Sequence, residues 1–270
     1  MNSLPIGVYD SGLGGLTAVK ELRRRLPGEG IIYFGDTGRV PYGNRSRETI
    51  CKYTIQAMRF LTQKRVKMII AACGTVSSVA EDIGNSISVP FTGVVRPAAK
   101  AAADATRSGR IGVIGTAATI SSGSYRARIA ELAPKARVFE QACGLLVPLV
   151  ENGFVSTDDE VTRLVTERYL KPIIAKKVDT LILGCTHYPI LKPIIGDVMG
   201  DGVTLIDAGE QAAILAGDIL RQKAMLNEST QPGKSAFYVS DRTEGFSQIA
   251  GMFLGEDISA VTERVDLDAI

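Results

Sequence analysis

Two cysteines occupy matching positions in two halves of this chain, and the halves read as copies of each other. Cys73 ends an apolar run, Val66-Lys67-Met68-Ile69-Ile70-Ala71-Ala72, and is followed by Gly74-Thr75. Cys185 ends Val178-Asp179-Thr180-Leu181-Ile182-Leu183-Gly184 and is followed by Thr186-His187-Tyr188-Pro189. Each run reads as a buried parallel strand with a thiol and a threonine at its C-terminal tip. The cysteines lie 112 positions apart (185 − 73). Ile6-Gly7-Val8-Tyr9-Asp10-Ser11 resembles Ile111-Gly112-Val113-Ile114-Gly115-Thr116 at the similar offset of 105 (111 − 6). A duplicated unit of this kind brings two equivalent strand tips, each bearing a thiol, to one central cleft. Two thiols opposed across one carbon suit a reaction that removes a proton from one face and returns one to the other.

Apolar strand runs alternate with helical patterns along the whole chain. Strands are expected near Ile6–Tyr9, Ile31–Phe34, Met68–Ala71, Phe91–Val94, Ile111–Ile114, Ala136–Glu140, Thr180–Leu183 and Thr204–Ile206. Helices are expected over Leu16–Leu26, Ser46–Lys64, Ser122–Leu132, Asp158–Lys176 and Glu210–Asn227. This alternation argues for an α/β fold of two pseudo-symmetric parallel-sheet domains, with the active site in the cleft between them. Residues 1–97 together with 208–270 would form the first domain and residues 98–207 the second. Ser229–Ser235 is the best candidate for a flexible surface loop. Ligands on such sheets bind beyond the carboxyl ends of the strands. Asp10, Ser11, Asp36, Cys73, Thr75, Thr116, Cys185 and Thr186 all fall at those ends.

Composition narrows the partners. A net charge of +2 over 270 residues gives no reason to expect nucleic acid or an anionic membrane. The N-terminal MNSLPIGVYDSG lacks a basic segment followed by an apolar core, so no signal peptide is expected. No apolar stretch reaches about 18 uninterrupted residues, so no membrane span is expected. The chain therefore reads as cytoplasmic, with its cysteines in a reducing compartment. Cys51, Cys73, Cys143 and Cys185 show no metal-ligand spacing, and no metal site is expected even with His187 near Cys185.

Asp10-Ser11-Gly12-Leu13-Gly14-Gly15-Leu16-Thr17 reads as a glycine-rich turn from strand to helix. Its amides could bind a carboxylate or phosphate, and a purely structural turn is the plainer alternative. A dinucleotide fingerprint fits poorly, because Asp10 would repel a pyrophosphate. Buried cysteines are commonly inert, but the duplicated setting singles out Cys73 and Cys185. Both are expected to precede helix starts, where a thiol pKa of about 8.5 can be lowered. Cys51 sits in a helical pattern and reads as packing. His187 is the only histidine, two residues after Cys185, and reads as an acid or as an orienter of that thiol. Asp10 could serve Cys73 in the same way. Pro41-Tyr42-Gly43 reads as a loop at another strand tip.

At these residues the chain resembles the glutamate racemases, within the aspartate/glutamate racemase family. The motifs are DSGLGGL at 10–16, YFGDTGRVPYG at 33–43, the Cys-x-Thr signature at 73–75, IGVIGTAATI at 111–120, VPLVENG at 147–153, LILGCTHYP at 181–189 and LIDAGE at 205–210. The resemblance runs nearly end to end. It implies two similar α/β domains facing each other across the active site and chemistry that needs no cofactor. It implies that Cys73 takes the proton from D-glutamate and Cys185 from L-glutamate, with Asp10 and His187 tuning the thiols. Asp10, Ser11, Tyr42, Gly43, Gly74, Thr75, Thr116, Thr186 and His187 would contact the substrate. It also implies supply of D-glutamate for peptidoglycan. The oligomeric state stays open, a homodimer among the options.

Three positions depart from that pattern. Gly74 stands where the signature is usually Cys-Asn-Thr, Cys143-Gly144 where Cys-Pro is usual, and Arg96 where an acidic residue usually precedes the proline. The absent amide removes one hydrogen bond of roughly 0.5–1.5 kcal/mol, so Gly74→Asn is expected to improve use of glutamate. Other readings are a related racemase acting on another substrate such as aspartate, a decarboxylase or isomerase of the same fold, and a non-catalytic binding protein.

Overall fold

The computed structural model describes residues 2–84 and 86–267. The outermost residues of the expected first domain, 1 and 268–270, lie outside the described residues. The strands are β1 (Ile6–Asp10), β2 (Ile31–Gly35), β3 (Met68–Ala71), β4 (Phe91–Gly93), β5 (Arg110–Gly115), β6 (Arg137–Ala142), β7 (Thr180–Leu183), β8 (Thr204–Asp207), β9 (Ser235–Val239) and β10 (Thr262–Arg264). Between them run α1 (Leu16–Arg25), α2 (Arg47–Gln63), α3 (Gly74–Gly84), α4 (Val95–Ala105), α5 (Ala117–Ser121) and α6 (Ser124–Leu132). They are followed by α7 (Leu146–Glu151), α8 (Glu160–Ile174), α9 (Lys192–Met199), α10 (Ala208–Gln222) and α11 (Thr243–Leu254).

Two parallel sheets form the frame, in the orders β10-β9-β2-β1-β3-β4 and β6-β5-β7-β8. The inner order β2-β1-β3-β4 of the first repeats as β6-β5-β7-β8 in the second. In each, the chain starts in a central strand, steps to one side, then returns to the other. The resulting switch points lie at the carboxyl ends of β1 and β3 and of β5 and β7, where such sheets bind ligands. Asp10 ends β1, Cys73 follows β3, Thr116 follows β5 and Cys185 follows β7.

The strand alternation sorts side chains to two faces. Tyr9, Phe34, Ile69 and Ala71 pack against Met58 and Leu61 of α2 and Val76 and Ala80 of α3. Val8, Met68 and Ile70 point the other way, into a core with Val19 and Leu22 of α1. That core continues through the alanines of α4 and α10, Ala98, Ala102, Ala212 and Ala216, to Ile111, Val113, Leu181 and Leu183 of the second sheet. Small side chains let these connecting helices pack closely. Asp207 caps α10, its Oδ1 accepting from the amides of Gly209 (2.8 Å) and Glu210 (3.0 Å).

Four features differ from the sequence reading. The helix expected over Glu210–Asn227 stops at Gln222, because Ala224 turns left-handed at φ 53°. Strands β9 and β10 and helix α11 were not foreseen; the first begins at Ser235, the last residue of the expected loop, and is five residues long. Helix α3 was foreseen only at its start after Cys73, since GTVSSVAEDIG is rich in glycine, serine and β-branched residues, and α4 was not read. The segment after Cys185 is not an α-helix start: a turn leads into a 3-10 helix over Tyr188–Leu191.

Candidate active site

Cys73 is the residue before α3, so its sulfur accepts the Val76 amide as an N-capping side chain would. Ser11 Oγ lies 3.3 Å from the Cys73 sulfur. The setting of this thiol opposes the expected lowering of its pKa. Burial pushes Cys73 up to about 12, the Asp10 charge adds to the rise, and the Ser11 hydroxyl and Val76 amide oppose it. Cys73 is 7% exposed, and the helix end does not outweigh its dehydration.

The second thiol has a different partner. Cys185 Sγ lies 3.7 Å from His187 Nδ1. His187 Nε2 lies 2.9 Å from Glu151 Oε1, at the end of α7. Burial alone would pull the imidazole pKa down. The bonds to Cys185 and Glu151 outweigh it and hold His187 up at about 10. Phe253 of α11 meets the His187 ring edge-on at 5.8 Å between centroids. Glu151 is a functional candidate that sequence reasoning passed over, although it lies inside the VPLVENG motif.

Asp10 is buried at the tip of β1, with its Oδ1 accepting the Gly12 amide at 2.7 Å. Burial raises its pKa, while the His187 charge and the Gly12 and Gly15 amides oppose the rise. The carboxylate of Asp10 thus occupies the Gly12 amide that an incoming anion would have used. The turn's second glycine serves close packing instead. A Cβ on Gly14 would lie 2.5 Å from both His187 Nδ1 and Thr186 Oγ1. Thr17 Oγ1 donates to the Thr186 carbonyl at 2.9 Å, fastening the start of α1 to the loop after β7.

Hydroxyls line the rest of the seam. Thr75 Oγ1 lies 2.9 Å from Thr116 Oγ1, and Thr119 Oγ1 lies 3.0 Å from Thr116 and 3.4 Å from Thr75. Ser78 Oγ meets Ser124 Oγ at 2.9 Å. Gly43 lies against Thr116, where an added Cβ would sit 3.3 Å from that residue's Cβ. The Tyr42 hydroxyl is committed elsewhere, donating to buried Asp36 and meeting the Tyr9 hydroxyl at 3.0 Å. Asp36 also accepts from Ser240 at 2.6 Å. Gly74 has no room for a side chain: a Cβ there would lie 2.1 Å from the Gly184 carbonyl oxygen. The asparagine expected to improve this site therefore cannot enter without moving backbone. Cys143 is buried behind the site and its thiol is pushed up to about 12 by burial, with the Cys185 charge adding to it. Cys51 lies apart, on α2. Among the described residues, no three His, Cys, Asp or Glu side chains converge as a metal ion would need. None of the described helices is long and apolar enough to cross a membrane.

Known proteins share this architecture along its full length. The sequence profile of the Asp/Glu/Hydantoin racemase family matches residues 17–216. A glutamate racemase of Syntrophus aciditrophicus is 47% identical over 97% of this chain and 97% of its own. A glutamate racemase isoform from Bacillus anthracis superposes with a TM-score of 0.94 at 38% identity, covering 99% of both chains. The glutamate racemase of Francisella tularensis, solved with D-glutamate, superposes at 0.91 with 40% identity over the whole of both chains. On sequence and fold together, this chain belongs to the Asp/Glu/Hydantoin racemase family.

Proposed function

We propose that this chain is a glutamate racemase in which Cys73 and Cys185 are the two acid/base groups. The observation that carries the reading is the equivalence of the two thiols. Each follows the third strand of its repeat, each sits at a switch point, and each has a polar partner, Ser11 for Cys73 and His187 for Cys185. From D-glutamate, the Cys73 thiolate removes the α-proton and the Cys185 thiol delivers one to the opposite face. From L-glutamate the roles exchange. Ser11, Gly43, Gly74, Thr75, Thr116 and Thr186, with the backbone at Tyr42, hold the substrate; Asp10 and His187 tune the thiols. Residues 1–97 with 208–270 act as one domain and 98–207 as the other.

Cys73, with its pKa near 12, needs help to become a base, because forming the thiolate at pH 7 costs on the order of 7 kcal/mol. The α-ammonium of a bound amino acid is the natural source of that help. Its positive charge in a dehydrated cleft favours the thiolate, so the base forms when substrate arrives. The enzyme works in the cytoplasm on a small molecule, supplies D-glutamate for peptidoglycan, and needs no partner of nucleic acid or membrane.

Circular dichroism of L-glutamate with the purified protein tests the proposal. The optical signal is expected to decay to zero without release of CO₂, with solvent deuterium entering at the α-carbon in D₂O. Decay with aspartate alone would change the substrate. Release of CO₂ would make the protein a decarboxylase, and a constant signal with either acid would leave it without this activity.

A further inference from the structure

Gly14 lies in the turn after β1 and faces the loop after β7. A Cβ there would stand 2.5 Å from His187 Nδ1, 2.5 Å from Thr186 Oγ1 and 2.8 Å from His187 Cε1. Both neighbours belong to the Cys185 side of the site. The next residue faces the other way. A Cβ on Gly15 would stand 2.7 Å from Asp10 Cβ and 3.1 Å from Ala72 Cβ, on the Cys73 side. Neither the turn nor the loop is free to back away. Thr17 Oγ1 lies 2.9 Å from the carbonyl oxygens of both Gly14 and Thr186, so one hydroxyl ties the two segments together. The Tyr33 hydroxyl holds the Gly12 carbonyl at 2.8 Å, and the Tyr188 hydroxyl fastens the β7 loop to the Cys143 carbonyl at 2.9 Å. The His187 ring is itself buried, tethered at Nε2 to Glu151 and met edge-on by Phe253.

We propose that Gly14 is a positioning residue for the Cys185 side of the reaction: its bare Cα is the wall against which the His187 ring seats, with Nδ1 turned to the Cys185 sulfur. The inference rests on the two-thiol racemase reading. Ordinary van der Waals contact begins near 3.4 Å, so a methyl group at 14 overlaps Nδ1 by about 0.9 Å (3.4 − 2.5). With Nε2 held by Glu151, the push falls on the Nδ1 end of the ring and takes it off its 3.7 Å contact with Cys185. Backbone strain does not enter, because Gly14 lies outside the left-handed region that alanine resists. The wedge also meets the Thr186 hydroxyl. Thr186 serves the substrate whichever enantiomer is bound, so that share of the effect falls on both directions alike. The share passed through His187 falls on Cys185 alone.

The test reads the two thiols apart with the enantiomers of threo-3-chloroglutamate. One thiolate takes the α-proton, the electron pair forms the Cα–Cβ double bond, and chloride leaves; Cys185 serves the L-form and Cys73 the D-form. A misplacement of about 1 Å costs up to about 100-fold in rate. In Gly14→Ala the ratio of L-form to D-form elimination is expected to drop at least about ten-fold. The His187 midpoint in proton NMR is expected below that of the parent, because the Cys185 contact is the larger part of what holds it up. Gly15→Ala presses on Asp10 and Ala72 instead and should neither lower the ratio nor move the midpoint. In a His187→Asn background, Gly14→Ala should have little further effect on the ratio, since residues acting through one contact are not additive. An unchanged ratio in Gly14→Ala overturns the proposal, as does an equal drop in Gly15→Ala or an undiminished drop in the absence of the ring. An unfolded Gly14→Ala protein overturns it too, since Gly14 would then be a requirement of the fold. If the parent protein neither racemises glutamate nor eliminates chloride, it is the two-thiol reading that fails. The His187 midpoint in Gly14→Ala needs no turnover and still decides whether Gly14 seats the ring.

Discussion

The Glu151 carboxylate and the His187 imidazole meet at 2.9 Å although 36 residues separate them in the chain. With Nε2–H donating to Glu151, Nδ1 is left facing Cys185. A neutral ring accepts there from the thiol, and a charged ring donates to the thiolate. Glu151 thereby sets which form of His187 the thiol meets. His187 is the only histidine, so one imidazole signal in proton NMR reports its titration without ambiguity. The midpoint is expected near 10 in the parent protein. Cys185 contributes the larger part of the rise and Glu151 the next, so Glu151→Gln should lower the midpoint, and an unmoved midpoint would show that Glu151 does not share in holding the charge.

The same shift has a consequence for stability. A folded-state pKa above the unfolded one adds stability that is fully present below about pH 6.5 and is lost as pH rises through 10. Urea unfolding at pH 6 and at pH 10 should show a larger loss for the parent than for Glu151→Gln.

Cys73 offers a separate handle on the electrostatics. Burial and the Asp10 charge hold its thiol high, while Ser11 opposes them. Alkylation of Cys73 by iodoacetamide, followed across pH by peptide mass, is expected to have its midpoint well above the ordinary value of about 8.5. Asp10→Asn should lower the midpoint, and Ser11→Ala should raise it. Shifts in the opposite directions would mean that exposure, not charge, controls this thiol.

Far from the site, Lys67 and Glu29 form an ion pair at 2.6 Å with both side chains 1% exposed. Lys67 Nζ also donates to the carbonyls of Asn2 and Met225, each at 2.7 Å, and Glu29 accepts the Asn227 amide at 2.8 Å. The pair ties the chain's start and the segment after α10 to the base of the first sheet. Lys67→Met leaves a buried carboxylate without its cation and is expected to cost about 3–5 kcal/mol in urea unfolding. Lys67→Met with Glu29→Leu should recover much of that loss. A single variant as stable as the parent would mean that water reaches Glu29.

The strand tips were legible in sequence because buried parallel strands are written as apolar runs, and the repeat placed Cys73 and Cys185 in register. Local punctuation also carried Asp10 and Ser11. What pairs at the site from distant parts of the chain was not legible. Glu151 reaches His187 from a separate helix, and no spacing rule joins them. The hydroxyl cluster of Thr75, Thr116 and Thr119 exists only once the two sheets face each other. Gly74 read as a missing side chain, whereas in three dimensions it is a space that Gly184 fills. The thiol pKa was misjudged for a related reason: the helix N-terminus at Cys73 is visible in sequence, but the depth of burial that overrides it is not.

The two-thiol mechanism makes its sharpest statement about single cysteine variants. Cys73→Ser and Cys185→Ser should each nearly abolish racemisation, because every turnover uses one thiol as base and the other as acid. Serine is a far weaker acid than cysteine and does not present an anion at neutral pH without further activation. Each variant nevertheless keeps one competent base, and elimination of chloride from threo-3-chloroglutamate asks for no more. Cys185→Ser retains the base assigned to the D-enantiomer and should eliminate from that form. Cys73→Ser should eliminate from the L-form. The asymmetry of the two environments adds a second signature. Cys185 works beside His187 and Glu151, so the L-specific elimination of Cys73→Ser should respond to Glu151→Gln. The D-specific reaction of Cys185→Ser, served by Cys73 beside Ser11, should respond less. Chloride release and enantiomer consumption, followed by chiral chromatography, measure both. A shared enantiomer preference in the two variants would end the assignment of one thiol to each face, and normal racemisation in both would make the thiols structural.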